Sequence, residues 1–126
     1  MTVILDAGAL VAVERGDREV MAIMKREFLA GREPLTHGGV LGQVWRGGSG
    51  RQTNLARLLA GVEIAPLDST LGRRAGVLLG VTGTSDVIDA AVVLLARDGD
   101  EIFTSDPGDL TTLARAAGLH IELVRM

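Results

Sequence analysis

The chemistry-bearing residues of this chain are aspartates, and their placement is unusual. The phrase Thr-Ser-Asp-x-x-Asp occurs twice, at residues 84–89 and 104–109, and Asp6 directly follows the first apolar run, Val3-Ile4-Leu5. Asp6 and Asp106 each close an apolar strand-like run, while Asp86 and Asp89 open the most apolar helical stretch of the chain. At positions i and i+3, Asp86 and Asp89 share a helix face. In an open α/β sheet the strand ends and helix starts meet at the carboxyl edge, so these acids are expected in one crevice. Carboxylates gathered in this way repel: two unit charges ~4 Å apart interact by roughly 4 kcal/mol at an effective dielectric of 20. Either some take up protons or a cation sits among them. Mg²⁺ or Mn²⁺ suits a hard oxygen set of this kind and can activate water toward a phosphodiester. Each acid also reads as ordinary helix-start grammar. Asp106-Pro107-Gly108-Asp109 has Asp at the N-cap, Pro at N1 and Asp in the first turn, and Thr84, Ser85 or Asp86 can cap the helix that follows.

Much other chemistry is excluded. Cysteine is absent, which removes disulfides, thiolate catalysis and cysteine-bound zinc or iron–sulfur sites. His37 and His120 have no companion at metal-ligand spacing, so both read as plain loop or strand residues. No phosphate-binding loop or dinucleotide-binding glycine motif is present, and Gly47-Gly48-Ser49-Gly50 is followed by Arg51, unlike a nucleophile elbow. The net charge of −3 conceals a division. Arg46, Arg51, Arg57, Arg73 and Arg74 dominate residues 37–85, and Asp86, Asp89, Asp98, Asp100, Glu101, Asp106 and Asp109 dominate the next stretch. The N-terminus lacks a basic region and Asp6 interrupts its apolar run, so no signal peptide is expected. The longest apolar run, Ala90 to Ala96, falls far short of the ~18 residues of a membrane span. These features and the missing cysteines fit a cytoplasmic protein.

Strand-like and helix-like segments alternate. Strands are predicted at Val3–Leu5, Pro34–Thr36, Val62–Leu67, Ile102–Thr104 and Ile121–Val124. The first helix follows Asp6. A second, capped by Asp17, runs through Val20, Ile23, Met24 and Leu29 to a stop at Gly31. Further helices are expected at Val40–Trp45, ended by the flexible glycine–serine run, around Leu55–Leu59, from Leu71 to Gly80 or Gly83, over Val87–Ala96, and over Leu110–Ala117. Short strands apolar on both faces, alternating with helices, predict a three-layer α/β/α sandwich with a short, mainly parallel central sheet. Its 126 residues suffice for a single domain, and no linker interrupts them.

At these residues the chain resembles the PIN domain family, in particular the VapC-type toxins of bacterial toxin–antitoxin pairs. The resemblance spans nearly the whole length. It consists of Val3-Ile4-Leu5-Asp6, the segment Gln43-Val44-Trp45-Arg46-Gly47, the Asp-Ala helix from Asp89, and the strand leading to Thr104-Ser105-Asp106. It implies a Mg²⁺- or Mn²⁺-dependent endoribonuclease that cuts structured RNA such as transfer or ribosomal RNA, forms a homodimer, and is silenced by a small antitoxin. Asp6 and Asp106 match the family's first and last acids. Asp89 is the better match to the helix acid, with Asp86 as a second candidate ligand. Thr104 is expected to support the site by hydrogen bonding and Asp109 to lie at its edge. Arg46 and Arg51, with Arg57, are candidates for holding RNA phosphates or an antitoxin carboxylate, and Trp45 for core, interface or base stacking. One departure stands out: the family's second acid, a Glu ahead of Arg-Gly, is Gln43 here. Glutamine offers a carbonyl oxygen but no charge, which opens the alternative of a catalytically weakened module that binds RNA or an antitoxin. Two other phosphoryl-transfer families are disfavoured. Receiver domains need a late lysine, and Lys25 is the only one; haloacid-dehalogenase-like phosphatases carry Asp-x-Asp where Asp6 is followed by Ala7-Gly8.

Overall fold

The computed structural model describes residues 1–48 and 50–126; Ser49, in the predicted glycine–serine turn, lies outside the described residues. Five strands form one sheet in the order β3-β2-β1-β4-β5, with every neighbouring pair parallel. The strands are β1 (Val3–Leu5), β2 (Leu35–His37), β3 (Glu63–Ala65), β4 (Glu101–Thr104) and β5 (Glu122–Arg125), and the helices are α1 (Ala7–Glu14), α2 (Arg18–Leu29), α3 (Gly38–Val44), α4 (Thr53–Leu59), α5 (Ser69–Thr82), α6 (Val87–Leu95) and α7 (Pro107–Ala116).

The strand order explains the layers. The chain steps outward from β1 to β2 to β3, then returns across the sheet to β4 and β5. Parallel crossovers are right-handed almost without exception, so reversing the direction of travel moves the connecting helices to the opposite face. The packing agrees: α1 sits with α2, α3 and α4, while α5, α6 and α7 pack on one another. The point of reversal lies between β1 and β4, which pair Val3 with Glu101, Ile4 with Ile102 and Leu5 with Phe103.

β1 is wholly buried, as is the run Ala90–Val93 of α6 against it. A helix apolar on all sides is expected in the interior. The edge strands differ from the expectation of apolarity on both faces: β3 exposes Glu63 and Ile64, and β5 exposes Glu122 and Arg125. An edge strand has a neighbour on one side only, so charged ends are tolerated and discourage pairing with other chains. β3 is also shorter than the run Val62–Leu67, since Pro66 cannot donate to the ladder. β2 is shifted one residue later than predicted, from Leu35 to His37. The helix predicted to include Trp45 ends at Val44, and Trp45 is extended and 41% exposed. Gly83 rather than Gly80 closes α5, because Gly83 takes the left-handed conformation (φ 69°) that favours glycine.

The Arg-Gly segment closes α3. The Arg46 guanidinium donates to the carbonyls of Gly42 (3.3 Å), Trp45 (2.9 Å) and Gln43 (3.1 Å), satisfying acceptors that the helix end leaves open. Gln52 then locks the turn. Its side-chain oxygen accepts from the amides of Arg46 (2.9 Å) and Gly47 (3.1 Å), and its nitrogen donates to Glu14 (2.6 Å) and the Val44 carbonyl (2.8 Å). Nothing in the local pattern of the sequence marks this residue. With a net ~1 kcal/mol per hydrogen bond, Gln52→Ala is expected to cost about 2–3 kcal/mol. Urea unfolding checks this, with the midpoint lowered and the slope unchanged.

Candidate functional site

Parallel pairing of β1 with β4 brings the first and last acids together. Asp6 follows β1 and its amide donates to the Phe103 carbonyl (3.2 Å), so it stands beside Thr104. Its side chain caps α1 by accepting from the Ala9 amide (3.0 Å), and the residue is only 7% exposed. Burial pushes the Asp6 carboxyl up, while the Thr104 hydroxyl and the amides of Ala9, Gly8 and Ser105 favour its charged form. Thr104 is fully buried, and its oxygen also accepts from the Asp106 amide (2.9 Å). One hydroxyl therefore touches both strand-end acids. The close approach of α1 to the β4–α7 turn depends on Gly8, where a Cβ would come within 2.6 Å of Ser105 Cβ.

The two copies of the repeated phrase behave differently. Asp86 performs the capping in the first, accepting from the Asp89 amide (3.0 Å). Asp89, half-buried in the first turn of α6, is pushed up to about 6, first by burial and then by the charges of Asp86, Asp6, Asp109 and Asp106. In the second copy Asp106 occupies the N-cap position of α7, yet its side chain makes no cap hydrogen bond. The helix-start reading of the Asp106 side chain is thus corrected: the carboxylate does not accept from the α7 amides and faces Asp109 instead. Asp109 is exposed and is raised by its hydrogen-bonding approach to Asp106 and by that group's charge.

The four other predicted acids therefore all act on Asp89, which stands at the centre. A cleft of about 360 Å³ is lined by Thr84, Ser85, Asp86, Asp89, Asp109, Thr112 and Leu113. None of its lining residues is basic. A second cleft opens past Gly8 and Ser105, beside the Asp6–Asp106 turn. The remaining buried acids are occupied elsewhere. Glu27 is bound by Arg32 (2.8 Å) and Arg26 (3.3 Å), and Asp100 accepts from the amides of Thr2 and Arg97, both at 2.8 Å. Among the described residues, no three or more His, Asp or Glu side chains are already arranged to hold a metal ion. Two of the acids, Asp6 and Asp86, are engaged as caps, and two, Asp106 and Asp109, face each other, which raises Asp109 because their contact needs a proton between the carboxyl groups. The donor set itself suits a hard cation: several carboxylates, no soft ligand, and more negative charge than the site can comfortably ionise.

The other predicted residues are dispersed. Gln43 is exposed on α3, one turn beyond Gly39, whose face abuts Ile88 of α6. Arg46 is engaged with the α3 carbonyls, whereas Arg51 is exposed. Arg57 lines a separate groove between α2 and α4. His37 was not legible as part of the site. It is fully buried, with Nδ1 accepting from the Gly39 amide (3.0 Å) and Nε2 facing the Ile88 carbonyl (3.0 Å). A carbonyl only accepts, so Nε2 carries the proton, and burial holds the ring's pKa below its ordinary value.

A solved structure shares this architecture over nearly the whole chain. It is the crystal structure of VapBC2 from Rickettsia felis bound to a DNA fragment from their promoter, similar at a TM-score of 0.70 and 16% identity, with 98% of this chain and 98% of that chain covered. The fold is PIN-like. No family model matches the sequence, and no curated protein matches it. The VapC-type resemblance read from Asp6, Asp89 and Asp106 is thus met by a likeness of fold, of which the all-parallel 3-2-1-4-5 sheet is the core.

The raised Asp89 pKa has a defined consequence for stability. Its folded value of about 6 exceeds the unfolded carboxylate value, so the folded state binds the proton more tightly. Stability is therefore lost as pH rises from about 4 to about 6, and the penalty is fully present above that range. Asp89→Asn removes it. At ~1.4 kcal/mol per pKa unit, reduced by solvent screening, the metal-free variant should gain about 1–2 kcal/mol at pH 7 and converge on the parent below pH 4. Thermal unfolding across pH in a chelating buffer checks this.

Proposed function

We propose that this chain is a single-domain, metal-dependent endoribonuclease, the toxin of a type II toxin–antitoxin pair, which cleaves structured RNA in the cytoplasm. The observation that carries the reading is the convergence of Asp6, Asp89 and Asp106 at the point of reversal of a PIN-like sheet, with Asp89 pushed to about 6 by burial and the surrounding acids. Strongly perturbed acids in a crevice at strand ends mark functional sites more often than structural ones.

Asp6, Asp89 and Asp106 would hold the ion, with Asp86 as an additional ligand. Mg²⁺ or Mn²⁺ would supply there the activation of a water and charge compensation at the leaving oxygen. The protein's part is positioning. Thr104 favours the charged form of Asp6 and fixes the Asp106 backbone, Asp86 fixes the first turn of α6, and Asp109, raised by its approach to Asp106, lies at the edge. Exposed Arg51 is the better candidate for RNA contact, because Arg46 already serves α3, and Trp45, 41% exposed, is a candidate for base stacking. An antitoxin partner and a homodimer follow from the same reading, which the likeness to VapBC2 supports at the level of fold. Partner-free protein incubated with transfer and ribosomal RNA should cleave with Mn²⁺ and not with chelator. Asp6→Asn should reduce the rate by more than roughly 100-fold, since even outer-shell partners of a metal matter by 10–100-fold. Cleavage that persists in Asp6→Asn would sink the reading.

Gln43 favours a second reading, a weakened nuclease that binds RNA or an antitoxin. The neutral side chain removes one charge from the ligand set that the resemblance implies. Gln43→Glu is then expected to tighten Mn²⁺ binding about tenfold and to raise cleavage. Calorimetric titration checks the first effect, and unchanged binding would mean that position 43 takes no part in the site.

A further inference from the structure

The buried His37 lies at the carboxyl end of β2, outside every ligand set considered above, and joins the start of α3 to the first turn of α6. Its Nδ1 caps the start of α3 through the Gly39 amide, and its Nε2–H donates to the carbonyl of Ile88 in the first turn of α6. Ile88 immediately precedes Asp89. The seat is close-fitting: a Cβ on Gly39 would come within 2.5 Å of Ile88 Cδ1 and 2.9 Å of the His37 ring. Among the described residues, the one other side chain bonding to the backbone of that turn is Asp86, which is exposed and itself one of the repelling acids.

We propose that His37 is a positioning residue for Asp89: its Nε2–H, fixed by the Gly39 amide on the other nitrogen, holds the first turn of α6 against β2 so that the Asp89 carboxylate stays aimed into the acidic crevice. The inference rests on the nuclease reading for its purpose, but not for its geometry. Four neighbouring charges push Asp89 outward, and a helix start is the part of a helix most free to fray. A donor on the Ile88 carbonyl opposes that movement from the buried side. The ring suits the task because burial keeps it neutral, so one nitrogen accepts while the other donates.

The two bonds can be separated by substitution. Asn places an acceptor near the position of Nδ1, so His37→Asn keeps the cap on Gly39 and loses the bond to Ile88. Gln reaches toward the position of Nε2, so His37→Gln keeps a donor for Ile88 and loses the cap. Mn²⁺ affinity by calorimetry should fall about tenfold in His37→Asn and less in His37→Gln, whichever variant is the less stable by thermal unfolding. In metal-free protein, amide hydrogen exchange at Asp89 and Ala90 should quicken in His37→Asn, while Val92 and Val93 stay as protected as in the parent. Unchanged exchange at Asp89 and Ala90 in His37→Asn overturns the inference, as does a loss of Mn²⁺ affinity that follows stability rather than the Ile88 donor. A parent protein that binds no Mn²⁺ and cuts no RNA overturns the nuclease reading instead, and the exchange measurement still decides the role of His37.

Discussion

Repulsion among carboxylates at the carboxyl edge of the sheet is the constraint that the surrounding structure must withstand. Like charges in a partly buried crevice drift apart unless something holds them, and here no basic residue lines the cleft that carries Asp86, Asp89 and Asp109. The protein responds in two ways. It lets Asp89 titrate near 6, so that part of the population is neutral at mildly acidic pH. It also fastens the backbone that carries each acid: Asp6 by its ladder bond to Phe103 and its cap on Ala9, Asp106 through Thr104, and Asp89 by Asp86 on one side and His37 on the other. A fold that bears such an expense at one place and supports it from several is what a functional site looks like in energetic terms.

The support works because α6 cannot retreat. Ala90, Ala91, Val92 and Val93 are all fully buried, with α6 packed on β1 and β2. Sliding the helix by half a turn would expose that surface, at ~25 cal/mol per Å² of apolar area. Thr36 contributes on the sheet side, its hydroxyl donating to the Leu5 carbonyl (2.8 Å) next to Asp6. The register of β1 and β4 completes the arrangement, since a one-residue slip would turn each strand's side chains to the opposite face. The apolar core and the acidic edge are therefore one device: burial of α6 and β1 supplies the force that holds the acids in place.

What the sequence made legible follows from which interactions are local. The runs Val3–Leu5 and Ile102–Thr104 declare strands by composition, and parallel α/β topology then places Asp6 and Asp106 at one edge, as observed. Capping is local as well, but its grammar is degenerate: Asp86 caps and Asp106 does not, although both open a helix in the same phrase. The difference lies in the surroundings, since the Asp106 side chain faces Asp109 and its amide bonds Thr104, and neither can be weighed from the phrase alone. His37 and Gln52 were illegible for another reason. Their partners lie 51 and 38 residues away at Ile88 and Glu14, and a lone polar residue carries no periodic signal of its long-range bonds. Arg46 was misleading in the opposite sense, because a basic residue in an Arg-Gly segment suggests an anion while its actual partners are carbonyls of its own helix.

The neutral residue at position 43 can be understood from the same balance. Gln43 lies one turn beyond Gly39, on the α3 face that meets Ile88. On the proposed reading, an acid there would add a further like charge near Asp89, which is already raised to about 6. Without a cation, each added carboxylate makes the site harder to ionise and the first turn of α6 harder to hold. With a cation, the same charge would strengthen binding. On the proposed reading a glutamine would shift the compromise toward the metal-free protein and leave Asp86, one turn from Asp89, as the acid to restore charge when an ion enters. The doubled Thr-Ser-Asp-x-x-Asp phrase gains its meaning here: its first copy brings a cap, Asp86, and a half-buried carboxylate, Asp89, to the same turn, and the cap is itself the carboxylate that the nuclease reading would recruit.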